Sequence, residues 1–272
     1  MSRILVTIVV RLTLALSRRS LADLLLLILN LCYCFSHAQR HGETDHNKAG
    51  IIQGHLDVPL NSQGEAQAKH TAKWFRENGI DFDQAYSSDL GRAKLTAQLI
   101  LKEQREGLEL IEDERIRERH LGNLQGKRRG DPGTDPSTVE PVSHLRSRLF
   151  SFWDTLFPSS PSPLSTSSSS ETPTKILYVS HGAAIREFIQ ALIHERKEDY
   201  GLEDLPEGEE EMLRLGSKRI GNCARTLIEM TPHTIEGSDQ VRWKGRLLLY
   251  ADDTHFIDSS RAPSPRLNAD VL

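Results

Sequence analysis

The stretch RHGETDHN, residues 40 to 47, is a polar loop that stands before a well-marked helix. Ser62 and Glu65 are spaced as a capping box, the reciprocal hydrogen-bonded pair that starts a helix, and Gly79 lies where a helix is expected to stop. The residues predicted to share the buried face of this helix are Ala68, Ala72 and Phe75.

Strands and helices are predicted to alternate along the rest of the chain. The predicted strands are FDQAYSS (82–88), KILYVS (175–180), NCARTLIEM (222–230) and RLLLYAD (246–252). The predicted helices cover residues 90–103, with Ala93, Ala97 and Ile100 inward, the segment marked by Val142, Leu145, Leu149, Phe152 and Leu156, and AAIREFIQALI (183–193). This alternation indicates an α/β architecture with a largely parallel sheet.

The composition is that of a globular protein and excludes some classes of partner. The 272 residues are 38% hydrophobic and 26% charged, and the net charge of −4 gives no general attraction to nucleic acid. Cys32, Cys34 and Cys223 form no disulfide framework, which favours a reducing compartment. We therefore expect a cytoplasmic location, with the nucleus also open, and the oligomeric state is not read from the sequence.

Four separate loops place reactive side chains after predicted strands. The first holds Arg40 and His41, the second Arg92 in SSDLGRAK, the third Glu118 in RERHLGNLQG, and the fourth His181 in VSHGAAIR. The carboxyl ends of strands in an open α/β sheet converge on one crevice, where ligands bind. We therefore expect these five residues to meet.

Phosphoryl transfer is the chemistry that this set suits. The transferring group needs positive charge around its oxygens, which Arg40 and Arg92 can supply in a fixed bidentate geometry. A histidine can act as a nucleophile, and Glu118 can donate and later accept a proton. Gly182 allows close approach of backbone, and the amides of the following helix are expected to point at the anion.

Four segments, in this order, resemble the signature segments of the histidine phosphatase superfamily, in its phosphoglycerate mutase-like branch. They are RHGETDHNKAGIIQGHLDVPLNSQG, YSSDLGRAKLTAQLI, RERHLGNLQGK and VSHGAAIREFI. The resemblance implies a three-layer αβα sandwich around a mostly parallel sheet, with no cofactor. It implies that His41 becomes phosphohistidine and that Glu118 is the acid and base. The residues that it places against phosphate or substrate are Arg40, Arg92, His181, Asn47, Gln53 and Gly54.

The resemblance leaves the outcome of the transfer open. A mutase of this family carries a longer structured insertion between the glutamate and the second histidine, whereas here that interval holds one amphipathic helix and a serine-rich loop. We therefore favour hydrolysis of small phosphorylated metabolites, of which sugar phosphates and fructose-2,6-bisphosphate are examples in this branch. The alternatives are mutase-type transfer and a catalytically silent interaction module.

Other histidines and a basic run near these segments have weaker interpretations. His37, His46 and His55 are irregularly spaced, which favours solvent-exposed loop histidines over a metal site. Residues 127–129, Lys-Arg-Arg, could contact a substrate phosphate or form a solvated loop. We slightly favour the loop.

The N-terminal region contains a block that does not fit the rest of the chain. The family pattern runs a first strand straight into the RHG loop, and residues 1–9 would supply that strand if residues 10–39 were absent. We interpret 10–39, an apolar insert, as translated intron. A secretory signal within residues 1–38 and a real insertion are the alternatives, and a membrane span is not expected because the apolar run is too short. The remaining predicted divisions are a phosphatase domain at 40–257, a disordered Ser/Pro loop at 158–173 and a flexible tail at 258–272.

Overall fold

The computed structural model describes residues 34–128, 130–132, 135–158, 173–203, 218–234 and 241–256. The strands in these ranges are β1 (Cys34–Arg40), β2 (Gln84–Ser87), β3 (Leu110–Glu112), β4 (Thr174–Ser180), β5 (Leu202–Glu203), β6 (Arg225–Thr234) and β7 (Val241–Asp252). The helices are α1 (Asp45–Ala49), α2 (Ser62–Glu77), α3 (Gly91–Leu101), α4 (Val142–Leu156), α5 (Gly182–His194) and α6 (Lys197–Tyr200). None of these helices has both the length and the apolar character that crossing a bilayer requires.

The described strands form one sheet in the order β3-β2-β4-β1-β6-β7-β5. Strands β1 to β4 are parallel to their neighbours among themselves, and β6 is antiparallel to both β1 and β7. β1 is central, paired with β4 on one side and β6 on the other. The carboxyl ends of β1, β2 and β4 therefore lie side by side at one edge.

Alternate side chains of β4 pack on opposite faces of the sheet. Leu177 and Val179 belong to a core shared with α2 and α3, which includes Phe75. Ile176 and Tyr178 belong to a second core shared with α4 and α5. Because successive strand residues point to opposite faces, the sheet is covered by helices on both sides. The predicted three-layer αβα sandwich is confirmed.

The start of α2 differs from the prediction, and its end agrees with it. The N-cap is Asn61, whose side chain accepts a hydrogen bond from the N–H of Gly64, so the predicted capping box of Ser62 and Glu65 is wrong. Asn is an efficient N-cap, and it stands one residue before the Ser on which the prediction rested. Gly79 follows the helix with φ +64°, and the N–H of Ile80 donates to the carbonyl of Phe75, as in a Schellman termination.

The strand that leads into the RHG loop is Cys34–Arg40. Residues 34–39, the last six of the predicted insert, belong to this central strand, and the interpretation of 10–39 as translated intron stays a prediction. Residues 1–33 lie outside the described residues, and the strand that runs into the RHG loop, predicted from residues 1–9, is here β1. Most of 158–173 and all of 258–272 also lie outside the described residues.

His37 is a buried residue of β1, so the prediction of an exposed loop histidine is wrong. Its ring packs edge-on against Phe75 and Phe82, with centroid separations of 5.8 and 5.2 Å. Burial, with the charges of Arg225 and Lys175 as lesser causes, lowers the pKa of His37 from 6.5 to about 3. His46 and His55 are partly buried, so neither is a fully exposed loop histidine.

Replacing His37 by valine should remove a pH-dependent loss of stability. The unfolded chain takes up a proton on His37 below pH 6.5, whereas the folded chain resists it until about pH 3, so the wild type loses stability as the pH falls through this range. At pH 5 this loss is about 2 kcal/mol, and the valine variant should lack it. Urea unfolding of both proteins at pH 7 and pH 5 measures the difference. An equal pH dependence in the two would contradict the prediction.

Candidate active site

The five residues predicted to meet do converge at the carboxyl edge of the sheet. Arg40 ends β1 and His41 follows it, Arg92 is the second residue of α3 after β2, and His181 lies between β4 and α5. Glu118 reaches the same place from the segment after β3. Each of the five is at most 1% exposed. Burial of this many ionisable groups in one crevice is typical of a functional site.

His41 has the protonation state that a nucleophile needs. Its Nδ1 lies 2.7 Å from the carbonyl oxygen of Gly42, which fits a donated N–H and leaves the lone pair on Nε2. Burial first, and then the positive charges of Arg92 and Arg40, hold the pKa of His41 well below 6.5. The imidazole is therefore neutral between two guanidinium groups.

His181 lies next to His41, and both of its ring nitrogens can form further hydrogen bonds. The two ring centroids are 5.1 Å apart. Both ring nitrogens of His181 are buried, and neither has a hydrogen-bond partner among the described residues. Burial and then the charge of Arg92 lower its pKa well below 6.5. A buried polar ring without a partner points to a ligand at this position.

Backbone carbonyls orient both arginines. Arg92 donates through Nη1 to the carbonyl of Leu56 at 2.7 Å and through Nη2 to that of Gly54 at 2.8 Å. Arg40 donates through Nη1 to the carbonyl of Ile220 at 2.6 Å. These bonds fix the planes of the two guanidinium groups, which makes the arginines a preorganised positive frame around His41.

Glu118 is held by the start of α5. Its Oε1 accepts from the N–H groups of Arg119 at 2.8 Å and Ala184 at 3.0 Å, and its Oε2 accepts from Ala183 at 3.1 Å. The amides of α5, predicted to point at an anion beside Gly182, instead donate to this carboxylate. The reason is local: a carboxylate next to a helix N-terminus takes the same free N–H groups that an anion would.

The acidic residues that precede Glu118 are more exposed. The side chain of Glu114 is 78% exposed and lies 4.0 Å from Arg117, while that of Glu112 is 39% exposed and pairs with Lys94. Glu118 is therefore the carboxylate that the fold carries into the crevice.

Asn47, Gln53 and Gly54 lie around the same crevice. Asn47 and Thr44 form a capping box at the start of α1. The Thr44 hydroxyl also donates to Oε1 of Gln53 at 2.8 Å. Gly54 has φ +51°, a Cβ there would lie 2.3 Å from Oε1 of Gln125, and its backbone carbonyl accepts from Arg92. In the basic run at residues 127–129, the backbone of residues 127 and 128 pairs with that of residues 51 and 52. Residue 129 lies outside the described residues.

Sequence reasoning missed several residues that support the crevice. Thr96 accepts from the N–H of Gly42 at 3.1 Å and donates to the carbonyl of Arg92 at 2.7 Å. Its position four residues after Arg92, on the same helix face, could have suggested this link. Gly42 was quoted but its packing was not foreseen: a Cβ there would lie 2.4 Å from the carbonyl oxygen of Gly64.

Arg148 of α4 was also missed, since nothing near it in the sequence marks it. It donates through Nη1 to the carbonyls of Arg115 and Arg117 at 2.8 and 2.7 Å, and through Nη2 to that of Glu118 at 2.6 Å. It also pairs with Glu140 at 2.8 Å. These bonds fix the backbone of the segment that carries Glu118.

This arrangement can attack and stabilise a phosphoryl group. A neutral imidazole supplies the lone pair, two fixed guanidinium groups supply positive charge, and a carboxylate beside them can move a proton. The described residues contain no group of three or more His, Cys, Asp or Glu side chains suited to a metal ion.

Parts of the chain are similar in sequence to known proteins. Over 88 residues, 32% of this chain and 38% of the relative, the chain is 41% identical to a broad-specificity phosphatase of Saccharomyces cerevisiae. Over 93 residues, 34% of this chain and 40% of the relative, it is 42% identical to a 2,3-bisphosphoglycerate-dependent phosphoglycerate mutase of Streptococcus sanguinis. The matched segments thus span well under two thirds of these relatives.

Solved structures match over more of the chain. The structure named mycobacterial hydrolase 1 is 25% identical with a TM-score of 0.61, covering 80% of this chain and 99% of its own. A mycobacterial glucosyl-3-phosphoglycerate phosphatase solved with VO3 is 25% identical with a TM-score of 0.55, covering 79% of this chain and 98% of its own. Residues 37–219, which include Arg40, His41, Arg92, Glu118 and His181, match the model of the histidine phosphatase superfamily (branch 1). The chain therefore belongs to the histidine phosphatase superfamily.

Proposed function

We propose that the chain hydrolyses small phosphate monoesters through a phosphohistidine intermediate on His41. The observation that carries the proposal is the neutral, buried imidazole of His41 between the charges of Arg40 and Arg92. An uncharged nitrogen nucleophile beside two fixed cations suits a substrate that is a dianion and a transition state with charge on its outer oxygens.

The proposed reaction has two steps. In the first, Nε2 of His41 attacks phosphorus, the P–N bond forms as the P–O bond breaks, and protonated Glu118 gives its proton to the departing oxygen. In the second, a water molecule attacks phosphorus, Glu118 takes its proton, and the P–N bond breaks to release inorganic phosphate. Arg40, Arg92, His181 and Asn47 hold the phosphoryl oxygens throughout.

The substrates that we propose are small phosphorylated metabolites. The S. cerevisiae relative is named a broad-specificity phosphatase, and the mycobacterial structure is named a glucosyl-3-phosphoglycerate phosphatase. Mutase-type transfer is the second candidate, because the S. sanguinis relative is a phosphoglycerate mutase. Among the described residues between Glu118 and β4, α4 is the single α-helix, which favours hydrolysis. The cytoplasmic location is our proposal from the low cysteine content, three in 272 residues.

The experiment is turnover of p-nitrophenyl phosphate at mildly acidic pH, with a His41→Ala variant as control. We expect release of inorganic phosphate by the wild type and, after rapid quenching, a phosphoprotein that is labile in acid and stable in alkali. The variant should show neither. Turnover no higher than that of His41→Ala would reject the enzyme and support the silent interaction module. Adding 3-phosphoglycerate separates the enzyme classes, since a mutase would transfer the phosphoryl group to it.

A further inference from the structure

The turn that leads into β6 supports the RHG loop through its backbone. The carbonyls of Ile220 and Ala224 accept from Nη1 and the backbone N–H of Arg40, at 2.6 and 3.1 Å. The N–H of Cys223 donates to the carbonyl of His41 at 3.2 Å. Residues about 180 positions later in the chain thus lie directly against the proposed nucleophile.

One side chain of this turn joins the loop to Asn47. The Nδ2 of Asn222 lies 3.2 Å from the carbonyl oxygen of His41 and 3.2 Å from Oδ1 of Asn47. The same Oδ1 lies 3.3 Å from the N–H of Thr44. Two donors therefore converge on one oxygen of the Asn47 amide.

This convergence decides which way round the Asn47 amide is placed. An amide has an oxygen end that accepts and a nitrogen end that donates, and turning it over would set its N–H₂ against two other donors. The Oδ1 end is thus fixed toward Asn222 and Thr44. The Nδ2 end is buried and has no hydrogen-bond partner among the described residues. A buried donor without a partner is unfavourable, and an anionic oxygen would satisfy it.

We propose that Asn222 is a positioning residue for the phosphoryl site. It holds the Asn47 amide so that its N–H₂ donates to a phosphoryl oxygen. This proposal rests on the proposed function, which supplies the phosphoryl ligand. The alternative is that Asn222 only stabilises the turn.

A double-mutant cycle separates these two roles. Asn222→Ala, Asn47→Ala and the double variant are compared by kcat/KM for p-nitrophenyl phosphate and by calorimetric binding of inorganic phosphate. Loss of one hydrogen bond to a charged group predicts a fall of about tenfold in each single variant. In the Asn47→Ala background, Asn222→Ala should cost less than about twofold, because the donor that it positions is gone.

Two further variants complete the test. Asn78→Ala removes an exposed amide that bonds the carbonyl of Trp74, away from the crevice, and should leave both measurements unchanged. Asn222→Asp keeps the size of the side chain but replaces the donor by an acceptor, so it should weaken phosphate binding at least as much as Asn222→Ala. If Asn222→Ala fails to fold, Asn222→Asp still tests the inference.

Wild-type phosphate affinity in both Asn222 variants would overturn the inference. So would losses that multiply in the double variant, which a purely structural role predicts. If the wild type does not turn over p-nitrophenyl phosphate, the proposed function fails, and phosphate binding alone then decides the role of Asn222.

Discussion

Replacing Glu118 by glutamine is expected to slow hydrolysis of a primary alkyl phosphate about a thousandfold. An alkoxide is a poor leaving group, so breaking its P–O bond needs a proton at the same moment. Glutamine has nearly the same shape but cannot give or take that proton. Its oxygen can take the place of Oε1, which accepts from Arg119 and Ala184, and its N–H₂ then faces the N–H of Ala183.

The same variant should behave differently toward p-nitrophenyl phosphate. Its leaving group is stable as an anion, so formation of phosphohistidine on His41 should proceed at close to the wild-type rate. The second step still requires a base for the attacking water, so the intermediate should accumulate. Rapid-quench measurements should therefore show a burst of nitrophenol followed by slow turnover.

A matched control exists in the same segment. Glu114→Gln changes an exposed carboxylate four residues earlier and should leave both substrates within about twofold of the wild type, as surface substitutions usually do. Equal losses for the alkyl and nitrophenyl substrates in Glu118→Gln, with no burst, would mean that Glu118 is structural. A large loss of activity in Glu114→Gln would mean that the assignment of proton transfer to Glu118 is wrong.

The crevice could be predicted because its main residues follow strand ends. Arg40 ends β1, His41 follows it, and His181 follows β4. The rule that parallel strands share a carboxyl edge is enough to bring them together. Arg92 fits the same rule, because it is the second residue of α3, the helix that follows β2. Their placement needs the local pattern and the topology, but no detail of packing.

Long-range hydrogen bonds could not be predicted in the same way. Asn222 meets His41 and Asn47 across more than 170 residues, and Arg148 reaches the carbonyl of Glu118 from another helix. No periodicity or capping signal records such contacts, since they depend on how distant elements pack. The amides of α5 illustrate the same limit: the sequence shows where they are free, but Glu118 competes for them.

β1 buries polar side chains, whereas the sequence pattern predicts apolar side chains in a central strand. Ser36 and Gln39 are fully buried, and Oγ of Ser36 and Oε1 of Gln39 lack hydrogen-bond partners among the described residues. His37 is held neutral in the core between them. Burying such groups without partners costs about 1–3 kcal/mol each. The central strand is thus formed by a segment poorly suited to it.

Deleting residues 10–39 is therefore expected to stabilise the protein. The deletion joins Val9 to Arg40, so ILVTIV (residues 4–9) would take the register of CFSHAQ (residues 34–39). Valines then stand in the places of Ser36 and Gln39, and a threonine in that of His37. Apolar, β-branched side chains suit a strand that is covered on both faces. We expect a gain of roughly 2–5 kcal/mol in unfolding free energy, together with higher soluble yield and activity.

The control for this deletion removes an equally long block, residues 4–33, and so keeps CFSHAQ as the strand before Arg40. The two shortened chains have the same length and differ only in six strand residues, so any effect of removing the apolar run cancels. Urea unfolding and p-nitrophenyl phosphate turnover should both favour the chain that keeps ILVTIV. If the chain that keeps CFSHAQ is as stable and as active, the polar strand is native to this protein. The interpretation of 10–39 as translated intron would then be wrong, and a transcript that retains the corresponding nucleotides would agree.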